Sequence, residues 1–323
     1  MIKVKSTSLD FGKMDREPID LLIANGCEFE SVQVDANSEE QGIAVIKDAD
    51  VLVVGLQRIT ERVLDAAGRL KVIGRCGVGL DNIDLRAAGS RGIPVVYTPG
   101  ANAQTVADLT LGLMLALARK INQADRMTRD HQWKRIMGND VWGKTLGIFG
   151  LGQIGANVAR RAKGFDMNVV AYDVVQNLPL ARELGIEYLS KADILARADF
   201  ITLHLPLNPE TRGFIGESEL GAMKKTAVLV NTSRGGIVDE QALYRALKRG
   251  EIAGAALDVF EPEPPVKTPL VELDNFIGCP HIGGITVEAI ARIGMTVARD
   301  VVAMLKGQSP QFLANGEWLV PNR

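Results

Sequence analysis

Three glycines at the spacing Gly150-x-Gly152-x-x-Gly155 constrain this chain more than any other feature. A short apolar run, typical of one buried strand, precedes them, and a helical pattern follows. In that context Gly150 permits a tight turn, Gly152 leaves room for a pyrophosphate, and Gly155 lets helix and strand pack closely. The N–H groups of the helix start, where Gln153 and Ile154 lie, would face the phosphates. The stretch therefore predicts a dinucleotide site.

An aspartate at a suitable distance supports this prediction. Residues 167–172 have the pattern of the next strand, and Asp173 ends it, 18 residues after Gly155. The dinucleotide fold places an acidic residue about 20 residues on, where it accepts a hydrogen bond from the ribose 2′-hydroxyl. A carboxylate there also repels a 2′-phosphate, so NAD is favoured over NADP. The alternative is an ordinary α/β glycine turn followed by a chance aspartate.

The composition narrows the class of protein. With 323 residues, of which 46% are hydrophobic, the chain is long enough for two domains with sizeable cores. A net charge of −2 gives no electrostatic reason to expect nucleic acid or an acidic membrane as a partner. The longest apolar stretch, residues 109–118, is too short to span a bilayer, and residues 1–5 show no apolar signal segment.

Cysteine and histidine usage indicates a reduced protein without a metal site. Cys27, Cys76 and Cys279 form no CxxC pair, which is typical of free thiols in a reducing compartment. The three histidines and three cysteines form no cluster with metal-ligand spacing. A soluble, cytoplasmic protein is expected.

Apolar runs alternate with helical patterns along the chain, which predicts parallel sheets covered by helices on both faces. The first such layer has strand patterns at 29–34, 51–54, 71–74 and 94–97. The second has six, at 146–149, 167–172, 199–204, 227–231, 253–259 and 275–278. The predicted fold class is therefore α/β with two doubly wound parallel-sheet domains.

A broadly apolar helix is predicted over residues 104–121, between the two layers. A helix that is apolar on most sides is buried on most sides, either as a connecting helix that also meets a second subunit or as an interior helix of a monomer. Residues 122–143 are polar and are predicted to be irregular. Trp133 and Trp142 in that stretch suggest packing at an interface or in an arm.

Several motifs together resemble one family along nearly the whole chain, the D-isomer-specific 2-hydroxyacid dehydrogenases, and among them the D-3-phosphoglycerate dehydrogenases most. The motifs are GRCGVGLDNID at 74–84, KTLGIFGLGQIG at 144–155, HLP at 204–206 with Thr211, NTSRGGIVD at 231–239, ALDVFEPEP at 256–264 and PHIGG at 280–284.

This resemblance implies a Rossmann NAD domain, residues 99–286, inserted into a discontinuous flavodoxin-like substrate domain, residues 1–98 and 287–323. It also implies an active site between the domains, a small 2-hydroxy or 2-oxo acid as substrate, and a homodimer.

Oxidation of a 2-hydroxy acid needs a base for the hydroxyl proton, and histidine suits neutral pH. His204 and His281 both follow strands, where ligands bind in open α/β sheets, and the resemblance selects His281. It also gives Glu263 as the carboxylate that orients this histidine, whereas Glu261 is more simply a solvated loop acid. Arg234 is expected to bind the substrate carboxylate and carbonyl oxygen together, which a lysine does less well.

Further site residues follow from the resemblance. On the substrate side they are Arg75, Gly77, Val78, Gly79, Asn102 and Arg135, with Val78 also near the nicotinamide and Asn102 alternatively a cap for the following helix. On the cofactor side they are Val106, His204, Pro206, Thr211, Thr232, Ser233, Asp258, Gly283 and Gly284.

The identity of the substrate stays open between 3-phosphoglycerate and glyoxylate or hydroxypyruvate. Where phosphoglycerate dehydrogenases often carry an arginine after the strand that matches residues 51–54, this chain has Gly55-Leu56-Gln57, with Arg58 further on. The chain ends at Arg323, so feedback control through a serine-sensing domain is not expected. A non-enzymatic alternative is an NAD-sensing corepressor, which retains the same Arg, Glu and His. A formate dehydrogenase is disfavoured, because that branch pairs its histidine with Gln.

Overall fold

The computed structural model describes residues 1–320. The chain forms two compact units, one made of Met1–Asn102 with Gly284–Arg323 and the other of the continuous segment Ala103–Gly283. These boundaries lie a few residues from positions 98/99 and 286/287, where the sequence places them. The assignment of the first unit to substrate and the second to cofactor stays a prediction at this point.

The first unit contains a five-stranded parallel sheet in the order β2-β1-β3-β4-β5, the order of flavodoxin-like doubly wound folds. Its strands are β1 (Ile2–Ser6), β2 (Cys27–Ser31), β3 (Val51–Val54), β4 (Val72–Arg75) and β5 (Val95–Val96). Its helices are α1 (Glu17–Ala24), α2 (Glu39–Ile46), α3 (Glu61–Leu64), α4 (Leu85–Ser90) and α12 (Val287–Leu305). All four residues of β3 are buried because helices cover both faces of the sheet.

The second unit contains a seven-stranded parallel sheet in the order β12-β11-β10-β9-β6-β7-β8. Its strands are β6 (Thr145–Phe149), β7 (Asn168–Tyr172), β8 (Glu187–Tyr188), β9 (Phe200–Leu203), β10 (Val228–Asn231), β11 (Gly254–Leu257) and β12 (Phe276–Gly278). Its helices are α5 (Ala103–Ala118), α6 (Ile121–Arg129), α7 (Gln153–Lys163), α8 (Leu178–Leu184), α9 (Lys191–Arg197), α10 (Glu217–Ala222) and α11 (Glu240–Arg249).

The strand order of this second sheet reverses between β6 and β9, which are neighbours although two strands lie between them in sequence. This is the switch point of a dinucleotide-binding fold, where the carboxyl ends of the strands border a ligand crevice. Two cores, one on each face of the sheet, hold the strands in place. The doubly wound α/β prediction is confirmed in both units.

The apolar helix predicted over residues 104–121 is shorter in the structure. Helix α5 stops at Ala118, and Lys120 adopts a left-handed backbone with φ +52°. A second helix, α6, then occupies Ile121–Arg129, so the prediction of an irregular 122–143 stretch is wrong for its first part. Helix α6 buries none of its residues and is supported by surface ion pairs such as Arg129–Asp125, which an apolar periodicity does not reveal.

Two strands were not predicted, and one is displaced. The interior strand β1 alternates lysines with apolar residues, and Lys3 pairs with Asp48 at 3.2 Å. Strand β8 is a two-residue edge strand, which makes seven strands where the sequence predicts six. Strand β2 ends at Ser31 rather than reaching Val34. No helix within residues 1–320 has both the length and the apolar character needed to cross a bilayer.

Candidate active site

The glycine turn joins β6 to α7, and each glycine has a different reason to be there. Gly150 has φ +92°, and a Cβ on it would overlap the carbonyl of His204. A Cβ on Gly155 would overlap the carbonyl of Gly150, so helix and turn are in direct backbone contact. A Cβ on Gly152 would meet no protein atom within 4 Å. Only Gly152 is thus free of an internal packing constraint, which suits a position reserved for a ligand.

The start of α7 has the features of an anion-binding helix N-terminus. Gly152 is the N-cap residue and no side chain caps the helix, so the first N–H groups have no side-chain acceptor within the described chain. Beside it, the Asp173 carboxylate accepts from the N–H of Leu151 at 2.7 Å and from that of Val175 at 3.1 Å. The turn and the carboxylate are therefore locked together. Phosphate-facing N–H groups and a ribose-binding acid side by side fit an NAD molecule.

His281 and Glu263 are in direct contact. Nδ1 of His281 lies 2.7 Å from Oε2 of Glu263, and both side chains are about one-third exposed. Burial acts to raise the pKa of Glu263, but the hydrogen bond to His281 and its charge outweigh this, so the pKa lies below its usual value. An ionised carboxylate only accepts, so Nδ1 carries a proton. The other ring nitrogen, Nε2, is thereby the one available for proton transfer.

Asp258 fixes the loop that carries His281. Its carboxylate accepts from the N–H of Ile282 at 2.8 Å and from that of Gly283 at 2.7 Å, and its carbonyl accepts from the N–H of His281 at 2.9 Å. Burial raises the pKa of Asp258 despite these hydrogen bonds. His281 itself has φ +55°, a left-handed conformation that is uncommon outside glycine and in which Asn, Asp and His are the most frequent other residues. The structure thus gives Asp258 an orienting role, besides the cofactor contact expected from the resemblance.

Arg234 lies in a tight turn after β10. Asn231 stabilises this turn, because its amide donates to the Arg234 carbonyl at 2.8 Å and its Oδ1 accepts from the N–H of Ser233 at 3.0 Å. A Cβ on Gly235 would overlap the Phe260 carbonyl. The backbone after Arg234 is therefore closely packed against the segment that contains Phe260.

The other predicted cofactor-side residues of this unit lie around the same edge of the sheet. Thr232 and Ser233 are buried, and the Thr232 hydroxyl lies 2.9 Å from that of Thr110. Thr211 Oγ1 donates to the carbonyl of the exposed Pro206 at 2.6 Å, which closes the loop after β9. Buried Val106 packs near Gly283. Arg135, which was predicted on the substrate side, is exposed in a segment without regular structure.

His204 directly follows β9, and both of its ring nitrogens are buried without a hydrogen-bond partner among residues 1–320. Burial lowers the pKa of His204 to about 3, so the imidazole is neutral at physiological pH. A neutral ring offers one donor and one acceptor to a bound molecule. Unlike His281, the His204 ring has no carboxylate partner within the described residues.

Because the ring nitrogens of His204 are buried, we expect the stability of the folded chain to decrease in acid. The pKa of His204 rises from about 3 in the folded chain to about 6.5 when unfolded, so the unfolded state binds the proton first. The contribution to stability is complete above pH 6.5 and is lost as the pH falls toward 3, by about 3 kcal/mol at pH 4. We expect the free energy of unfolding, measured in urea at pH 7 and pH 4, to fall less in His204→Gln than in the unsubstituted protein. His131→Asn, at an exposed histidine, should behave like the unsubstituted protein; equal pH slopes for all three proteins would refute the assignment.

The first unit carries the predicted substrate loop after β4. Arg75 is buried; its Nε donates to the carbonyl of Gly79 at 2.9 Å and its Nη1 to that of Cys76. The guanidinium lies over Gly77, which has φ +140° and has no room for a Cβ. Arg75 therefore braces the loop that contains Gly77, Val78 and Gly79, a role that the sequence does not indicate. Its binding to a substrate stays a prediction.

Asn102 ends the first segment of this unit. Its Oδ1 is buried and has no hydrogen-bond partner among residues 1–320, so it does not cap the following helix. Its amide nitrogen would lie 2.8 Å from a Cβ on Gly284, so a larger residue there would displace the Asn102 side chain. An unsatisfied buried oxygen is costly, which favours the ligand-binding interpretation of Asn102 over the capping one.

Six neighbouring strands of the second unit thus end in site residues. Gly150 follows β6, Asp173 follows β7, His204 follows β9, Arg234 follows β10, and Glu263 and His281 follow β11 and β12. A cavity of about 200 Å³ lies instead at the opposite edge, beside the first residues of β9, β10 and β11, and contains none of these side chains. Within residues 1–320 no group of three or more His, Cys, Asp or Glu side chains is placed to hold a metal ion.

Comparison with known proteins gives consistent matches. Residues 111–283 match the family model for the NAD binding domain of D-isomer specific 2-hydroxyacid dehydrogenases. D-3-phosphoglycerate dehydrogenase of Methanocaldococcus jannaschii is 49% identical over 86% of this chain and 54% of its own length. Glyoxylate reductase of Korarchaeum cryptofilum is 46% identical over 84% of both chains. The chain spans about half the length of the curated D-3-phosphoglycerate dehydrogenases that it matches.

Two solved structures have the same fold. The TT0316 protein from Thermus thermophilus superposes with a TM-score of 0.89 at 37% identity, over 97% of this chain and all of its own. D-lactate dehydrogenase from Aquifex aeolicus, in complex with NAD and lactic acid, superposes with a TM-score of 0.85 at 30% identity, over 97% of this chain and 99% of its own.

Proposed function

The chain belongs to the D-isomer-specific 2-hydroxyacid dehydrogenase family, and on this premise we propose that it interconverts D-3-phosphoglycerate and 3-phosphohydroxypyruvate with NAD as the redox partner. The observation that carries the proposal is the 2.7 Å contact between His281 and Glu263 at the sheet edge that also bears the glycine turn. A histidine oriented by a carboxylate beside a dinucleotide site is what hydride transfer to or from a hydroxyl-bearing carbon needs.

Each residue then has a separate task. NAD, when bound, accepts the hydride from the substrate C2 or returns it. The guanidinium of Arg234 binds the carboxylate and the C2 oxygen in a planar, bidentate manner. Nε2 of His281 takes the hydroxyl proton in oxidation and returns it to the developing alkoxide in reduction. Glu263 keeps the proton on Nδ1 and stabilises the imidazolium.

The phosphorylated substrate is favoured by the matches to phosphoglycerate dehydrogenases and by an exposed cation in the segment that follows β3. Gln57, in the segment where an arginine is common in such enzymes, is buried with its amide unpartnered among residues 1–320, so it is not presented to solvent. Arg58, the next residue, is exposed and is the candidate for the distal phosphate. The second candidate function, reduction of glyoxylate or hydroxypyruvate, is favoured by the 46% identical glyoxylate reductase, whose length this chain matches better.

A substrate panel separates these two functions. With NADH in excess, we expect kcat/KM for 3-phosphohydroxypyruvate to exceed that for hydroxypyruvate by on the order of 100-fold, because one or two charge-assisted hydrogen bonds to phosphate contribute about 3 kcal/mol. The measurement is the loss of NADH absorbance with 3-phosphohydroxypyruvate, hydroxypyruvate, glyoxylate and pyruvate. Preference for an unphosphorylated acid would favour the reductase instead.

A homodimer and a cytoplasmic location complete the proposal. Support for the dimer comes from large apolar side chains exposed between α6 and β6, with Trp133 93% exposed and Met137 and Trp142 mostly exposed. Support for a reducing compartment comes from Cys27, Cys76 and Cys279, which are all free thiols.

A further inference from the structure

Three loops at the catalytic edge are stacked on one another. The N–H of Gly213 donates to the carbonyl of Gly236 at 2.8 Å, and Ile215 pairs with Val238 in an isolated parallel bridge. On its other side the turn at 235–236 packs against the backbone of Phe260 so closely that no Cβ fits. We call these segments, residues 212–215, 235–239 and 260–263, the loop stack. Its middle layer directly follows Arg234 and its last layer ends in Glu263.

One ion pair spans the loop stack from its first to its last layer. Arg212 binds Glu261 through two parallel contacts, Nη1 to Oε2 at 2.5 Å and Nη2 to Oε1 at 3.1 Å. Gly236 lies directly beneath, because a Cβ there would overlap Oε2 of Glu261 and lie 3.0 Å from Nη1 of Arg212. The Arg212–Glu261 pair therefore packs directly against the middle layer of the loop stack.

A second contact holds Glu261 from the opposite side. Oε1 of Glu240, the first residue of α11, accepts from the N–H of Glu261 at 2.9 Å. Helix α11 is anchored by its N-cap Asp239 and by a buried face that includes Leu243. Side chain and backbone of Glu261 are thus fixed to two different elements, while Glu263 lies only two residues further along the chain.

We propose that Arg212, Glu261 and Glu240 form a clamp that positions the Glu263 carboxylate against His281. The three are positioning residues, and the inference rests on the proposed function only for its kinetic test. The N–H of Phe260 donates to Oε1 of Glu263 at 3.0 Å, so the carboxylate is held by the same loop that the clamp immobilises. When Glu261 is released, that loop becomes more mobile, and the hydrogen bond between Nδ1 of His281 and Glu263 is formed for a smaller fraction of the time.

The competing interpretation is a surface ion pair without a catalytic effect. Both side chains of the Arg212–Glu261 pair are about half exposed, and such pairs often contribute less than about 1 kcal/mol to stability. The bidentate geometry over Gly236 and the second anchor from Glu240 distinguish this pair from others. Arg197–Glu187, in the same unit and similarly exposed, lacks both features and supplies the matched control.

The kinetic test compares Arg212→Gln with Arg197→Gln. We expect Arg212→Gln to lower kcat for 2-oxo acid reduction about tenfold, because small misplacements of catalytic groups are costly. KM for NADH should stay within about twofold, and the limb on which reduction is lost with rising pH should move to lower pH. Glu240→Gln keeps an acceptor oxygen and should retain activity, whereas Glu240→Ala should resemble Arg212→Gln. Unchanged kcat and pH limb in Arg212→Gln, or equal losses in Arg197→Gln, would overturn the clamp.

A spectroscopic test does not depend on turnover. In protein labelled with ¹⁵N-histidine, we expect a slowly exchanging Nδ1–H signal from His281 that persists in Arg197→Gln and is weakened in Arg212→Gln. A signal of equal intensity in both variants refutes the clamp even if no 2-oxo acid is turned over. Absence of turnover by the unsubstituted protein, with a signal that still responds to Arg212, refutes the proposed function and leaves the clamp standing.

Discussion

Replacement of His281 by Asn is expected to reduce turnover of the 2-oxo acid about 10³-fold, because a positioned acid–base group contributes roughly 10²–10⁴. Asn is the suitable substitution, since His281 has φ +55° and Asn tolerates that conformation better than Ala does. The affinity for NADH should be almost unchanged, because the glycine turn and Asp173 lie on other strands of the sheet. The measurements are steady-state kcat and a fluorescence titration with NADH.

The control for this substitution is His131→Asn. His131 is exposed, also has positive φ at +58°, and lies outside regular structure, so the same change there should leave kcat unaltered. Full activity in His281→Asn would exclude His281 as the proton-transfer group. Loss of NADH affinity together with kcat would indicate a wider disturbance of the loop that Asp258 holds.

Two alanine substitutions in the glycine turn should affect different properties, NADH binding in one variant and stability in the other. Gly152→Ala places a methyl group where no protein atom lies within 4 Å, so stability should change by less than about 0.5 kcal/mol while NADH binding weakens about 100-fold. Gly155→Ala drives a methyl group into the Gly150 carbonyl, so it should lower the free energy of unfolding by about 3 kcal/mol. NADH titration and urea unfolding of both variants measure the two effects separately.

Gly221→Ala provides the comparison for these variants. Gly221 lies in helix α10, and a Cβ there would meet no atom within 4 Å. The Gly221→Ala variant should therefore bind NADH normally, and the substitution should stabilise the helix by up to about 1 kcal/mol. Normal NADH affinity in Gly152→Ala would show that the open space is not a phosphate position. Unchanged stability in Gly155→Ala would show that the turn relaxes without cost.

The sequence predicts the parts of the site whose residue types have one dominant physical use. Glycines at fixed spacing between a strand and a helix leave little freedom, and Asp173 at the end of the next strand completes the pattern. A histidine beyond the last strand is brought to the same edge as a glutamate 18 residues before it, because parallel strands share that edge. The choice of Glu263 over Glu261 needed the resemblance, and in the structure Glu261 is bound to Arg212 instead.

Other features follow only from three-dimensional packing. The pairing of Arg212 with Glu261 joins residues of two different loops, and no local pattern marks either one. The resemblance gives Arg75 as a substrate-side residue, and only the structure shows that its side chain is buried and donates to the carbonyl of Gly79 in its own loop. Strand β1 and helix α6 were missed because charged side chains satisfied by ion pairs replace the apolar periodicity on which sequence patterns depend.

The discontinuity of the first unit has a consequence for its synthesis on the ribosome. Helix α12 buries Val297 and Val301 against the sheet, and Val297 lies where Gly74 of β4 leaves no room for a larger residue. Asn315, fully buried, donates to the Ile93 carbonyl and accepts from the N–H of Val95. Strands β1 to β5 emerge between about 190 and 285 residues before α12 begins, and the whole second unit is translated in between. The unit whose synthesis begins first is therefore completed last. The apolar sheet face that α12 covers lacks this helix until the second unit has been translated.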